Sequence, residues 1–174
     1  DVFGHYQLSI IMAEDPEWAK DIFDTETELA VRVLNHLEAS GVRFDGAWIY
    51  GDIAYNHALF FSPRMYRQQI MPSHARHIAW FKDREMPVIY HTDGDFRLIM
   101  PMLIDIGVDC FQPLECKAHM DVRELKPTVG DRVTFMGNID IMVLITNDRA
   151  AVEREVVAKL PMAKKGGGYI YHSD

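Results

Sequence analysis

Cysteine is scarce in this chain, and long apolar runs are missing. The 174 residues include only two cysteines, Cys110 and Cys116, which are too few for a disulfide framework and lack the paired spacing of a structural zinc site. No uninterrupted apolar run approaches the ~20 residues that a membrane span requires. The sequence therefore predicts a soluble protein with reduced thiols and no membrane partner, and we expect it in the cytoplasm.

Basic residues are also under-represented. Eighteen lysines and arginines face twenty-six acidic residues, so the formal charge is −8. The largest basic cluster is the pair Lys164-Lys165, which excludes a nucleic-acid footprint. A G-x-G-x-x-G motif is absent as well, and the glycine run at 166–168 precedes a predicted strand, so a dinucleotide-binding sheet is disfavoured.

The composition that remains is that of a globular protein, with 48% hydrophobic and 25% charged residues. No linker or low-complexity segment interrupts the chain, so residues 1–174 are predicted to form a single domain. Asp15-Pro16 begins a long amphipathic helix that ends near Gly41. Ser62-Pro63 begins another, which Pro72 is expected to bend.

Short apolar segments alternate with these and further helices along the chain. Five are predicted as strands, at residues 44–50, 87–90, 110–114, 133–136 and 169–171. Strict alternation of strand and helix predicts a parallel sheet. The predicted fold is α/β, of the (β/α)8 TIM-barrel type. Because eight units typically need ~250 residues, we expect only the C-terminal half to two thirds of such a barrel here.

Polar side chains follow every predicted strand at its carboxyl end. They are Asp52, then His91 and Asp93, then Glu115, then Asn138 and Asp140, and finally His172 and Asp174. In a TIM barrel this end of the strands carries the active site. Aspartate and asparagine are also common helix caps in such turns, but five polar strand ends out of five, two with histidine, favour a shared site.

Residues two apart in an extended segment point the same way, which pairs His91 with Asp93. Imidazole nitrogen and carboxylate oxygen are both zinc ligands, and Glu115 or the last strand could supply a third. We therefore predict a site for zinc or another divalent metal at His91, Asp93 and Glu115. The alternative is that His91 only bonds to a neighbouring strand end while Asp95 caps the next helix.

The remaining polar strand ends are assigned by their chemistry. Asp52, Asn138 and Asp140 are predicted to be catalytic, and His172 and Asp174 to bind substrate. His74 and His77 are interpreted as part of a solvated helix face rather than a metal clamp. Cys116 is interpreted as a small packed thiol rather than a soft ligand.

The chain resembles the uroporphyrinogen decarboxylase superfamily, which includes the decarboxylase and the zinc-dependent, corrinoid-linked methyltransferases. The matching segments are 61–66 (FSPRMY), 87–91 (PVIYH) with 93–95 (DGD), 106–109 (IGVD), 131–140 (DRVTFMGNID) and 166–170 (GGGYI). They keep the order of the family. The resemblance implies the C-terminal half or more of that barrel, without its opening strands.

The resemblance also indicates which branch to expect. Methyltransferases of this family carry a His-x-Cys pair where this chain has His91 and Asp93, so it implies a harder, oxygen-rich metal site. The decarboxylase has Gly-His-Gly after its final strand, where this chain has Tyr171-His172-Ser173-Asp174. We therefore favour a metal-dependent methyltransferase that acts on a small methyl donor with a corrinoid carried by a partner protein.

Two alternatives stay open at this point. One is cofactor-free decarboxylation of a tetrapyrrole, with Asp52 or Asp140 anchoring pyrrole N–H groups. The other is a non-catalytic truncated barrel whose polar rim consists only of helix caps. Such a piece would keep an open sheet edge, and it is expected to aggregate or to form a homo-oligomer.

Overall fold

A parallel sheet organises the chain in the computed structural model, which describes residues 3–173. The strands are β1 (Ala47–Tyr50), β2 (Ala54–Tyr55), β3 (Ala58–Leu59), β4 (Val88–His91), β5 (Cys110–Gln112), β6 (Thr134–Met136) and β7 (Tyr169–Ile170). Five of them form one sheet in the order β1-β4-β5-β6-β7, with every neighbouring pair parallel. The other two, β2 and β3, form an antiparallel hairpin. The five predicted strands are thus confirmed; four are shorter than expected, and β4 has the expected length but lies one residue later.

Helices connect the parallel strands. They are α1 (Gly4–Glu14), α2 (Pro16–Ala39), α3 (Pro63–Met65), α4 (Met71–Lys82), α5 (Met100–Asp105), α6 (Val122–Val129), α7 (Ile141–Leu144) and α8 (Arg149–Ala163), with a π-helical turn at Tyr66–Ile70 and a 3-10 turn at Cys116–Ala118. Between consecutive strands of the sheet, at least one helix returns the chain. This connectivity is that of consecutive βα units in a barrel.

Local sequence signals explain where several helices begin. The Asp15 carboxylate accepts from the backbone N–H of Trp18 at 3.1 Å, and Pro16 occupies the first turn of α2. The Ser62 hydroxyl accepts from Met65 N at 3.2 Å, and Pro72 stands at the start of α4, after the π turn. The predicted succession of a short helix and a longer one is observed, with the π turn between them, whereas α1, α7 and the β2–β3 hairpin were not predicted.

The core lies between the sheet and its helices. Val88, Tyr90, Phe111 and Phe135 project from the strands into it and are at most 1% exposed. The alternate residues of β1 point the other way, so Trp48 and Tyr50 remain exposed on the opposite face of the sheet. No helix of residues 3–173 is long and apolar enough to cross a membrane.

Candidate functional site

Three predicted site residues meet beyond the carboxyl ends of β1 and β4. Tyr50 pairs with His91 in the parallel register, so the segments that follow both strands leave the sheet side by side. The Nε2 atom of His91 lies 3.7 Å from Asp52 Oδ1. One ligand atom from each of Asp52, His91 and Asp93 lies within 4.8 Å of the other two. We call Asp52, His91 and Asp93 the carboxylate–histidine triad.

The imidazole of His91 is held from two sides. Its Nδ1 lies 2.6 Å from Oε1 of Gln112 on the neighbouring strand β5. An amide oxygen only accepts, so Nδ1 carries a proton, and in the neutral ring Nε2 keeps a lone pair on the side of Asp52. The ring of Tyr50 stacks on the imidazole at 4.0 Å between centroids. These contacts present Nε2 as a ligand or hydrogen-bond acceptor.

Negative charge accumulates around the triad. Burial raises the pKa of Asp93, and the carboxylates of Asp52 and Glu115 raise it further. Protonation of Asp93 relieves that repulsion, and so does a bound cation. The site therefore has the electrostatics of a cation-binding site.

The donor set fits a divalent metal. Two carboxylates and one imidazole are ligands that zinc accepts, and three protein ligands leave a position open. Bonds of 2.0–2.1 Å place tetrahedral ligands about 3.3 Å apart, close to the 3.7 Å between His91 and Asp52. The ligand atom of Asp93 lies within 4.8 Å of both. His91, Asp93 and Asp52 are thus the residues that would hold the metal.

Glu115, the third predicted ligand, lies beside the triad but has other contacts. Its Oε2 accepts from the backbone N–H of Gly94 at 2.9 Å, and its Oε1 lies 3.6 Å from Lys117 Nζ. The Gly94 contact ties the loop after β4 to the end of β5. Glu115 therefore positions the loop that carries Asp93, and its role as a ligand stays a prediction.

The β2–β3 hairpin supports the same loop from the other side. The Thr92 hydroxyl accepts from Ile53 N at 3.1 Å, and Asp95 N donates to Tyr55 O at 3.0 Å. Gly94, with φ +83°, lies so close to the hairpin that an added Cβ would stand 2.5 Å from Tyr55 N. The loop geometry thus depends on glycine at this position.

Two other predicted catalytic residues, Asn138 and Asp140, line a separate cavity of about 290 Å³. Asn138 is fully buried. Its Oδ1 accepts from Val122 N at 2.9 Å, and its Nδ2 donates to the carbonyls of Leu114, at 2.8 Å, and of Met120. Asp140 caps α7 by accepting from Met142 N at 2.8 Å. Both side chains hold loops in place, and their catalytic assignment stays a prediction.

Lys159 forms the floor of that second cavity. It is 7% exposed, and its Nζ donates to Glu155 Oε1 at 2.5 Å, to the carbonyl of Asn138 at 2.7 Å and to Cys116 Sγ at 3.1 Å. Burial lowers the pKa of Lys159, but the hydrogen bonds to Glu155 and Cys116 outweigh it and the net shift is upward. The thiol of Cys116 is thus a partner of an ammonium group rather than an apolar packing element.

The last strand contributes little to the triad. The backbone carbonyl of His172 accepts from Ile139 N at 3.3 Å. The imidazole Nδ1 of His172 contacts the carbonyl of Ser173. Asp174 lies outside the described residues. Substrate binding by His172 and Asp174 stays a prediction.

Sequence reasoning missed two residues of this region. Gln112 falls within a predicted strand, and its partnership with His91 follows only from the β4–β5 register. His74 was assigned to a solvated helix face, and that assignment is wrong. It contacts Tyr66 and Tyr90 and lines a cavity of about 440 Å³ that also includes Asp52.

Comparison with known proteins places this geometry in a family. Residues 3–173 match the family described as Uroporphyrinogen decarboxylase (URO-D). A "Methylated-thiol--coenzyme M methyltransferase" of Methanosarcina mazei is 26% identical over 133 residues, which are 76% of this chain and 33% of that protein. A solved "methyltransferase from Methanosarcina mazei" superposes with a TM-score of 0.69 at 15% identity, covering 95% of this chain and 46% of that one.

The chain thus spans about a third of the curated relative and about half of the solved structure that it matches. The superposition confirms the predicted TIM-barrel type of fold, of which this chain forms part. The family match extends over nearly the whole sequence and agrees with polar groups gathered at the carboxyl ends of parallel strands. The chain belongs to the uroporphyrinogen decarboxylase family.

Proposed function

We propose that this chain carries the metal-binding part of a methyltransferase that acts with a corrinoid protein. The observation that carries the proposal is the carboxylate–histidine triad, in which His91 Nε2 lies 3.7 Å from Asp52 and three oxygen and nitrogen atoms lie within 4.8 Å of one another. The two relatives described above are named as methyltransferases, which supports this branch of the family.

The residues of the triad have distinct tasks in this proposal. Gln112 fixes the Nδ1–H tautomer of His91, which leaves the Nε2 lone pair for the metal. Asp52 and Asp93 supply two oxygen ligands and most of the charge that a divalent ion neutralises. When bound there, such an ion supplies a Lewis acid for an oxygen or sulfur atom of the methyl donor or acceptor.

The donor set also indicates how this chain differs from a thiolate-rich site. Oxygen ligands are harder than cysteine sulfur, so the site suits zinc, manganese or magnesium better than a soft ion. Asp93, whose pKa is raised by burial and by two neighbouring carboxylates, also holds a proton more readily than an ordinary aspartate. Metal and proton therefore compete for the same oxygens, and metal affinity falls as the pH is lowered.

Metal binding is tested by isothermal titration of the chelator-treated chain with Zn²⁺ and Mn²⁺. We expect one ion per chain, and loss of binding in His91→Ala. His36→Ala is the matched control because His36 is exposed on α2 and has no hydrogen bond or ring contact with a triad residue among the described residues. Binding that survives His91→Ala would contradict the assignment.

The transfer itself is tested with dimethyl sulfide as donor and reduced cobalamin as acceptor, followed by the change in cobalamin absorbance. The proposal predicts metal-dependent methylation that His91→Ala abolishes. Decarboxylation of a porphyrinogen by the metal-free chain, without methyl transfer, would instead support the tetrapyrrole alternative and end the present proposal.

A further inference from the structure

The cavity that adjoins the triad is lined mainly by apolar and aromatic side chains, with few polar groups among them. It encloses about 440 Å³ between α1, α2 and the segment after β1. Apolar and aromatic side chains form much of its surface, among them Ile22, Phe23, Phe60, Phe61 and Ile70. Its acidic groups are Glu26 and Asp52, and no lysine or arginine of the described residues lines it. A ligand with an apolar body and no negative charge suits such walls.

His74 is a polar side chain of this cavity that is held by two aromatic residues. The hydroxyl of Tyr66, a side chain with no exposed surface, lies 3.3 Å from His74 Nδ1. Burial raises the pKa of Tyr66 and lowers the pKa of His74 to about 4, so both are neutral near pH 7. The ring also packs against Tyr90, at 5.7 Å between centroids.

The tautomer of His74 follows from its partner. The buried hydroxyl of Tyr66 needs an acceptor for its proton, because an unsatisfied buried donor is costly. Within residues 3–173 the acceptor that it contacts is His74 Nδ1. Nδ1 therefore accepts, and the proton of the neutral ring lies on Nε2. No described residue forms a hydrogen bond with Nε2. His74 is partly buried and is one of the residues that line the cavity.

A π-helical turn that begins at Tyr66 precedes His74. Residues 66–70 form one turn with the wider π pitch immediately before α4. Such turns reorient the residues that follow and are frequent at functional sites. Here the turn brings the hydroxyl of Tyr66 against the side chain eight positions later.

We propose that His74 is the substrate-binding hydrogen-bond donor of this cavity, and that the ligand is an uncharged molecule with an apolar body and one acceptor heteroatom. The Nε2–H group donates to that heteroatom, and the aromatic and aliphatic walls hold the body. Since Asp52 belongs both to the cavity and to the triad, the ligand lies beside the candidate metal site. In the proposed function this ligand is the methyl donor. That identification alone rests on the proposed function.

Two probes of nearly equal shape test the hydrogen bond. Benzyl methyl ether carries an acceptor oxygen where n-propylbenzene carries a methylene group. Affinities of the metal-free 174-residue chain for both are measured by NMR titration, in the wild type and in His74→Phe. One hydrogen bond predicts that the ether-to-hydrocarbon affinity ratio falls about three- to tenfold in the variant. An unchanged ratio would overturn the proposal.

A second measurement needs neither a ligand nor a variant of His74. Long-range ¹H–¹⁵N NMR identifies which ring nitrogen carries the proton. Protonated Nε2 in the wild type, with a shift of the tautomer equilibrium in Tyr66→Phe, is expected, and protonated Nδ1 would contradict the proposal. Because no metal or corrinoid is present, these results are independent of the metal titration and of methyl transfer, and each proposal can fail alone.

Discussion

The Nδ1 atom of His91 lies 2.6 Å from the amide oxygen of Gln112, and this contact decides which face of the imidazole is available. The two residues stand opposite each other in the parallel register of β4 and β5. The protein thus fixes the tautomer of a candidate metal ligand through a neighbouring strand rather than through the two loops that carry Asp52 and Asp93.

Removing that acceptor should weaken metal binding without removing a ligand. In Gln112→Leu the Nδ1–H group loses its partner, and we expect zinc affinity to fall about tenfold or more. Isothermal titration of the chelator-treated chain measures it. Gln112→Glu keeps an acceptor oxygen and should retain binding at least as tight as the wild type. Equal affinity of Gln112→Leu and the wild type would show that Gln112 does not orient His91.

His74 should make the stability of the chain depend on pH. The unfolded chain binds a proton at this histidine below about pH 6.5, whereas the folded chain resists it until the pKa of about 4 that burial imposes. Between these values the unfolded state binds more protons, so the free energy of unfolding falls as the pH falls, by up to about 1.4 kcal/mol per pH unit.

His74→Phe lacks this contribution. Urea unfolding at several pH values should show the wild type losing stability relative to the variant between pH 6.5 and 4. His77, whose pKa burial also lowers, is present in both proteins and contributes to each. Parallel stability curves for the two proteins would mean that His74 is protonated as easily in the folded chain as in the unfolded one.

Asn138 should prove to be a structural residue of the β6–α7 loop. Its amide bonds to Val122, Leu114 and Met120, and its backbone has φ +74°. Asn138→Ala removes these bonds, and alanine adopts the left-handed backbone conformation less readily than asparagine. We therefore expect a loss of about 3 kcal/mol in the free energy of unfolding. Denaturant unfolding measures it. A variant of full stability that loses activity would support the catalytic assignment instead.

Gly94 should tolerate no side chain, because the β2–β3 hairpin lies against it. Gly94→Ala places a Cβ 2.5 Å from the backbone of Ala54 and Tyr55, and we expect a loss of about 3 kcal/mol or more in stability together with weaker metal binding.

Gly41→Ala is the matched control for this change. Gly41 also has a positive φ, +90°, but nothing lies within 4 Å of an added Cβ. Strain from the backbone alone costs roughly 1–2 kcal/mol and leaves metal binding unchanged. Equal effects of the two substitutions would show that the hairpin yields and that the loop does not depend on it.

Much of the fold was predictable from local signals. Asp15 and Pro16 begin α2, Ser62 and Pro72 mark the starts of α3 and α4, and apolar segments mark the five parallel strands. The elements that were missed, α1, α7 and the hairpin, are an N-terminal helix and short pieces whose sequences carry weak periodicity. Tertiary contacts rather than propensity decide such pieces.

The site was predictable in part. The two-residue spacing of His91 and Asp93 correctly predicted that their side chains would meet, and strand-end position brought Asp52 into consideration. The same logic failed for Asn138, which also follows a strand. Its side chain turns inward to backbone groups of the preceding loop, and no pattern in the sequence shows which way a loop residue turns.

The sequence by itself determined the alternation of strands and helices, the polar strand ends and the family, because each depends on residue types at short spacing. Only the tertiary structure decided that Asp52 joins His91 and Asp93, that Gln112 orients the imidazole, and that His74 lines the adjacent cavity. The contacts behind these relationships join residues from 8 positions apart, for Tyr66 and His74, to 41 positions apart, for Asp52 and Asp93. The register of parallel strands and the pitch of one helical turn set them.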